Sequence, residues 1–342
     1  MSEWYWIALA GCLSLMLTAG LRRYAVSRSL IDIPNGRSSH TVPTPRGGGV
    51  AIVVTFLLAV LLLAVQQQMA MASVMAFVGA GGLIAVVGFM DDHGHIAARW
   101  RLLGHFIAAA WALYWLGGLA PLNILGTAID LGLIGNVLAA FYLVWMLNLY
   151  NFMDGIDGIA SVEAVCACMG ACLIYTMCGY PDLIGLPLLL AAAVAGFLFW
   201  NFPPAKIFMG DAGSGFLGLV LGLLSLQAAW VSSQLFWAWL ILLGVFIVDA
   251  TFTLVRRLIR GDKVYEAHRS HAYQFASRRF GHLRVTWAVG LINAFWLLPV
   301  ALWVALTGNE GLLGISVAYA PLIALAIKFK AGQLESVDNA AG

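Results

Sequence analysis

The sequence predicts an all-α, polytopic membrane protein of about eleven transmembrane helices in a single domain spanning residues 1–342. Three observations predict it. First, 62% of the residues are hydrophobic and only 10% are charged, against roughly 25% charged in a soluble domain. The 18 Lys and Arg and 16 Asp and Glu are too few to clothe a water-facing surface of this size. Second, mean hydropathy is +0.91, and apolar runs recur at about the 20 residues that cross a hydrocarbon core. Third, the cations fall on one side of the resulting topology.

The first run, 4–21, is preceded by Glu3, opens with Trp4, Tyr5 and Trp6, and is followed by Arg22 and Arg23. A cleaved secretory signal carries its cations ahead of the apolar stretch, so this run reads as a retained helix with its N-terminus outside. Further spans are expected at 49–65, 71–90, 102–120, 131–149, 159–179, 183–200, 215–232, 235–255, 285–306 and 311–327. With eleven crossings, segments 22–48, 91–101, 150–158, 201–214, 256–284 and 328–342 share one face and hold all 18 Lys and Arg residues. By the positive-inside rule that face is cytoplasmic, and the C-terminus lies inside. The intervening outer loops are short, with Asp130, Asp182 and Glu310 as their charges. A net charge of +2 adds little, because sidedness outweighs sum in a membrane protein. The five cysteines, Cys12, Cys166, Cys168, Cys172 and Cys178, sit in or beside apolar runs, which suits neither a disulfide framework nor a soft-metal site. No inverted repeat of the transporter kind is visible.

Four constellations stand in the cytoplasmic segments. Asp91-Asp92 ends the third expected span. Adjacent carboxylates at a membrane border repel each other and gain from a cation or a phosphate-bearing ligand; a solvated helix end is the plain alternative. Arg99 and Arg101 follow closely and can pair with phosphate. The second constellation spaces Asn148, Asn151, Asp154 and Asp157 three residues apart, with Gly155 and Gly158 between and after. Such a spacing drifts by roughly 60° per step on an α-helix and faces one site only where the helix tightens or breaks. The third is Phe208-Met-Gly-Asp211-Ala-Gly-Ser214, whose small residues let backbone N–H groups approach a phosphate at a helix start; an ordinary hinge would also look like this. The fourth is His268-Arg269-Ser270-His271 in the most basic segment, 256–284, part of which is generic positive charge facing anionic lipid. Two deeper acids, Glu163 and Asp249, read either as partners for inner-face basic residues or as part of the site. Oxygen donors without thiols suit a hard divalent cation, Mg²⁺ or Mn²⁺, shared with substrate phosphates, and metal-assisted phosphoryl transfer is the reaction class that follows.

These motifs, together with Asp32-x-Pro34, Arg37, His40 and Pro45-Arg46-Gly47-Gly48, resemble the polyprenyl-phosphate N-acetylhexosamine-1-phosphate transferases. The resemblance implies an active site in cytoplasmic loops of a bacterial inner-membrane protein. There, a sugar-1-phosphate passes from a UDP-sugar to undecaprenyl phosphate, UMP leaves, and a lipid-linked cell-surface polysaccharide begins. Carried over position by position, Asp91 orients or deprotonates the lipid phosphate with Asp92 beside it, and Asn151 and Asp211 are metal ligands. Phe208 stacks on uracil, and Asp154, Asp157 and Asn148 contact the nucleotide or shape its pocket. Arg46, Arg101, His268, Arg269 and His271 contact phosphate or sugar. The implied partners are the donor, the lipid acceptor and membrane lipid, without nucleic acid; a homodimer is allowed.

The chain also departs from the pattern. His268-Arg-Ser-His271 stands where His-x-His-His is common, and Arg101 stands where Lys is common. The altered last segment is similar to the branch that initiates O-antigen chains on 6-deoxy sugars such as N-acetylfucosamine or N-acetylquinovosamine. UDP-N-acetylglucosamine is the alternative donor, and a lipid or solute transporter is the rival from another class.

Overall fold

A computed structural model describes residues 4–34, 39–94, 96–262, 268–308 and 310–334. Arg37 and Lys263 lie outside the described residues. All the expected apolar runs are helical. α1 (Trp4–Ser27) leads into a short antiparallel clasp, β1 (Ile31–Asp32) against β2 (Thr44–Pro45), and then α2 (Val50–Val65). α3 (Met71–Met75), a π-turn over Ala76–Ala80 and α4 (Gly81–His93) form one span. α5 (Ala98–Leu116) stops at Gly117 with φ of 82°. A hairpin of β3 (Leu122–Ile124) and β4 (Thr127–Ile129) follows, then α6 (Gly132–Met153), α7 (Ile159–Cys178), α8 (Gly185–Asn201) and α9 (Asp211–Ala229). The chain continues through α10 (Ser233–Leu242), α11 (Gly244–Arg260) and α12 (Ala272–Phe280). α13 (His282–Ile292), a π-turn over Asn293–Leu297 and α14 (Leu298–Thr307) form the next span, and α15 (Gly311–Lys328) is the last helix.

Among the described residues, eight helices are long and apolar enough to cross a membrane, or nine when α10 and α11 are taken together. The expected count of eleven differs from this for physical reasons. α2 has 16 residues, about 24 Å at 1.5 Å per residue, short of a core about 30 Å thick. α5 carries Arg99, Arg101 and His105 in its first turns, which lowers its apolarity. The expected straight span at 235–255 bends by 70° between α10 and α11.

α9 lies at the centre: 17 of its 19 residues are buried, with α6 and α4 packed along it. Close approach explains its glycines. A Cβ at Gly218 would stand 2.4 Å from the carbonyl oxygen of Met146 in α6. Glu163 is fully buried in α7, and its Oε2 accepts a hydrogen bond of 2.5 Å from Asn293 Nδ2, which the second π-turn turns into the bundle. This acid is therefore paired within the bundle rather than at the inner-face basic residues.

Candidate active site

Three segments converge on the N-terminus of α9. Asp92, at the end of α4, accepts the Asp211 N–H on Oδ1 at 3.1 Å and the Ala212 N–H on Oδ2 at 3.2 Å. A helix start leaves such donors without partners of their own, so Asp92 caps α9 from a distant part of the chain. The approach requires Gly88, where a Cβ would lie 2.6 Å from Ala212 Cα. The main-chain carbonyl of Asp92 also accepts Arg46 Nη2 at 2.6 Å, which fixes the first basic segment to the same corner.

Asp91 faces the other way. Its Oδ1 accepts the Ile96 N–H at 2.9 Å, and its Oδ2 accepts Arg101 Nη1 at 2.5 Å. The same Nη1 lies 3.7 Å from Asp211 Oδ2, so one guanidinium offsets two neighbouring carboxylates. On the far side, Asn151 Nδ2 donates to Asp211 Oδ1 at 2.9 Å and to Ser214 Oγ at 3.0 Å. Phe208 is held by its backbone: its N–H donates to the Pro45 carbonyl at 2.8 Å, and its carbonyl accepts the Gly48 N–H at 2.9 Å. The Phe208 ring meets His40 edge-on, with centroids 4.8 Å apart.

The spaced run of Asn148, Asn151, Asp154 and Asp157 does not line up. α6 continues as an α-helix to Met153, so the drift of a three-residue spacing is not corrected. Asn148 turns toward α5, donating to the Val144 carbonyl at 2.7 Å with its Nδ2 3.5 Å from His105 Nδ1. The break comes only at Asp154. Asp154 is half-buried, and burial followed by the charges of Asp211, Asp92 and Asp157 pushes its carboxyl well above the usual range. Asp157 is a brace: Oδ2 accepts the Ala205 N–H at 3.0 Å and Oδ1 lies 3.2 Å from His282 Nδ1. Burial pushes the Asp157 carboxyl up, but the hydrogen bonds from His282 and Ala205 and the His282 and His40 imidazoles outweigh it and hold the group below the ordinary value.

The last basic segment forms a neighbouring cluster. His268 and His271 stack with centroids 4.9 Å apart. Burial first, then His271 and Arg257, lowers His268 to about 3. His271 is 2% exposed, and Arg269 is half-buried. The contacts of the two imidazoles lead away from Asp91 and Asp211: His268 Nδ1 lies 3.0 Å from Ser270 Oγ, and His271 Nδ1 lies 3.4 Å from Asp249 Oδ1. The link is indirect: Tyr273 Oη donates to the Phe152 carbonyl at 2.9 Å, and Phe152 stacks on His271 at 6.5 Å.

Two contributors escaped the sequence reading. Asn201 accepts the Gly158 N–H at 3.1 Å and donates to the Ile207 carbonyl at 3.0 Å, tying the 154–158 turn to the 201–214 segment. His282 bridges Asp157 and the carbonyl of Ser39, the latter at 3.1 Å. An Asn at the end of an apolar span was the available signal for the first; the second has none in local sequence.

The oxygen donors around Asp211 are the carboxylates of Asp91 and Asp92 and the Ser214 hydroxyl, a thiol-free set of the kind that suits a hard cation, while Asn151 turns its amide Nδ2 to Asp211. Among the described residues, no group of three or more His, Cys, Asp or Glu is arranged to hold a metal.

The family described as Glycosyl transferase family 4 matches residues 74–229, the stretch that carries Asp91, Asp92, Arg101, Asn151, Asp154, Asp157, Phe208 and Asp211. The chain is 31% identical over 307 residues to a probable undecaprenyl-phosphate N-acetylglucosaminyl 1-phosphate transferase of Bacillus subtilis, covering 85% of this chain and 84% of that one. It is 31% identical over 325 residues to a decaprenyl-phosphate N-acetylglucosaminephosphotransferase of Mycolicibacterium smegmatis, covering 83% and 78%. An undecaprenyl-phosphate alpha-N-acetylglucosaminyl 1-phosphate transferase of Thermotoga maritima is 27% identical over 272 residues, covering 79% and 80%. With these matches running through nearly the whole chain and across every carboxylate of the site, the protein belongs to glycosyl transferase family 4, among the polyprenyl-phosphate N-acetylhexosamine-1-phosphate transferases.

Proposed function

We propose that the protein transfers an N-acetylhexosamine-1-phosphate from a UDP-sugar to undecaprenyl phosphate, releasing UMP at the cytoplasmic face of a bacterial inner membrane. The observation that carries this reading is the linked group of Asp91, Arg101, Asp211 and Asn151 at the start of α9. In the reaction, an oxygen of the acceptor phosphate attacks the phosphorus bearing the sugar, and the bond to the UMP phosphate breaks. Asp91 would orient the incoming phosphate or accept its proton. Arg101 stands over both carboxylates, where charge on the transferred phosphoryl group would gather. A positioned nucleophile needs no covalent enzyme intermediate, which favours direct attack. Asp211 and Asn151 would hold Mg²⁺, with Mn²⁺ as the alternative, and the ion would neutralise the donor pyrophosphate. Phe208, held beside His40, is the ring on which the uracil would stack, with Asp154 and Asp157 contacting the nucleotide or shaping its pocket.

The one-sided distribution of Lys and Arg supports an N-terminus outside and a C-terminus inside. The relatives' names favour N-acetylglucosamine as the donor sugar. The departures at His268 to His271 favour a 6-deoxy N-acetylhexosamine and a role in initiating O-antigen. Incubating the purified protein with undecaprenyl phosphate, Mg²⁺ and a panel of UDP-N-acetylhexosamines, then measuring UMP, tests the reading. UMP should appear only with acceptor present, and chelation should stop it. The absence of UMP with every donor overturns the proposal.

A further inference from the structure

Asp249 lies in α11, beyond the bend that follows α10, and is 6% exposed. A carboxylate at that depth is costly unless paired. Its partners are not the neighbouring arginines. Oδ1 accepts the Ala272 N–H at 2.9 Å and Thr253 Oγ1 at 3.2 Å, and Oδ2 accepts the Tyr273 N–H at 2.9 Å. Ala272 and Tyr273 are the first two residues of α12, so both carboxylate oxygens cap that helix from another element. The next donor, the Gln274 N–H, is met by the His271 carbonyl at 3.1 Å. Gln274 Oε1 in turn accepts the His271 N–H at 3.1 Å. His271 Nδ1 lies 3.4 Å from Asp249 Oδ1. A single carboxylate therefore caps the start of α12 and stands beside the His271 imidazole.

We infer that Asp249 is a positioning residue for the last basic segment, acting through α12 and His271 to place His268 and Arg269. The arrangement parallels the cap of Asp92 on α9: in both, an acid on one span holds the start of the next functional element. The consequence for donor choice rests on the proposed role of this segment in reading the sugar; the capping itself does not. Removing the cap leaves two N–H groups of a nine-residue helix without partners, and a helix this short has little stability of its own.

Two readouts separate these claims. Ser277, inside α12, is 5% exposed. Maleimide labelling of Ser277→Cys in the purified protein, counted against the same background without it, should quicken about tenfold in Asp249→Leu, the equivalent of losing a cap. Asp249→Asn keeps one oxygen acceptor and should fall between the parent and Asp249→Leu. Equal labelling in all three overturns the inference, and the asparagine variant keeps the test valid if leucine prevents folding. In the second readout, Asp249→Asn should change the ratio of kcat/KM between 6-hydroxy and 6-deoxy donors in the direction that His271→Ala does. The double variant should fall short of the product of the two effects, while inhibition by UMP stays within about twofold. Independent, multiplying effects overturn the route through His271. Faster labelling with an unchanged donor ratio in both single variants would instead remove sugar reading from this segment and leave the cap standing.

Discussion

Asp91 and Asp92 are adjacent in the chain and do different things. Both Asp92 oxygens are taken up by the backbone of α9, while Asp91 pairs with Arg101. Replacement by Asn should separate them. An amide at position 92 can accept only one of two N–H groups, so Asp92→Asn should lower stability by about 1 kcal/mol and lower turnover with it. Asp91→Asn should leave the melting temperature in place and reduce turnover by about a hundredfold or more, the usual size of a lost acid-base group. Thermal melting and UMP release on the two purified variants decide this; the reverse pattern would exchange their roles. The sequence shows this pair as a cluster, because clustered acids at a span end are visible without a structure. It does not show which one caps, since the capped N–H groups lie 119 and 120 residues away. The spacing of Asn148 with Asn151, Asp154 and Asp157 gives a shared face only where the helix tightens or breaks; α6 stays helical to Met153 and turns Asn148 toward His105.

At the scale of elements, hydrophobic length made the helices legible almost throughout. What it could not reveal was where a run breaks without changing composition. The bend at Leu243 falls inside one expected apolar run, 235–255, and the two π-turns lie within others. α12 was read only as part of a basic segment, because the cap that supports it comes from Asp249 rather than from local sequence. Helix contact makes a sharper prediction. Gly88→Ala should push α4 away from α9, destabilising the protein by about 1–3 kcal/mol as overpacking does and separating Asp91 and Asp92 from Asp211. Gly82, in the same helix, has nothing within 4 Å of an added Cβ. Gly82→Ala should be neutral or stabilising by up to about 1 kcal/mol from helix propensity. Similar melting temperatures and UMP yields for the two variants would show that the α4–α9 contact can yield.

For the whole molecule, the one-sided distribution of Lys and Arg, which needs only counting, predicts an orientation that labelling can test. Connections expected on the outer side meet one another: Trp230 Nε1 donates to the Gly118 carbonyl at 3.3 Å and Trp237 Nε1 to the Asn123 carbonyl at 3.3 Å. Gln67 and Arg279 are both exposed. In intact cells, an impermeant thiol reagent should reach Gln67→Cys, whereas Arg279→Cys should react only after the membrane is opened. Labelling of Arg279→Cys in sealed cells would invert the orientation.

The burial of α9 has a further consequence. A bilayer that is too thick or too thin strains a protein through the helices that touch lipid, which tilt or bend to accommodate it. α9 is sheathed by its neighbours along nearly its whole length. Asp211 stands at its first residue, so the carboxylates are referenced to an inner post rather than to the surrounding fluid. Changes in acyl-chain length should be met by outer helices such as α1 and α15, leaving the position of Asp211 insulated from the surrounding membrane.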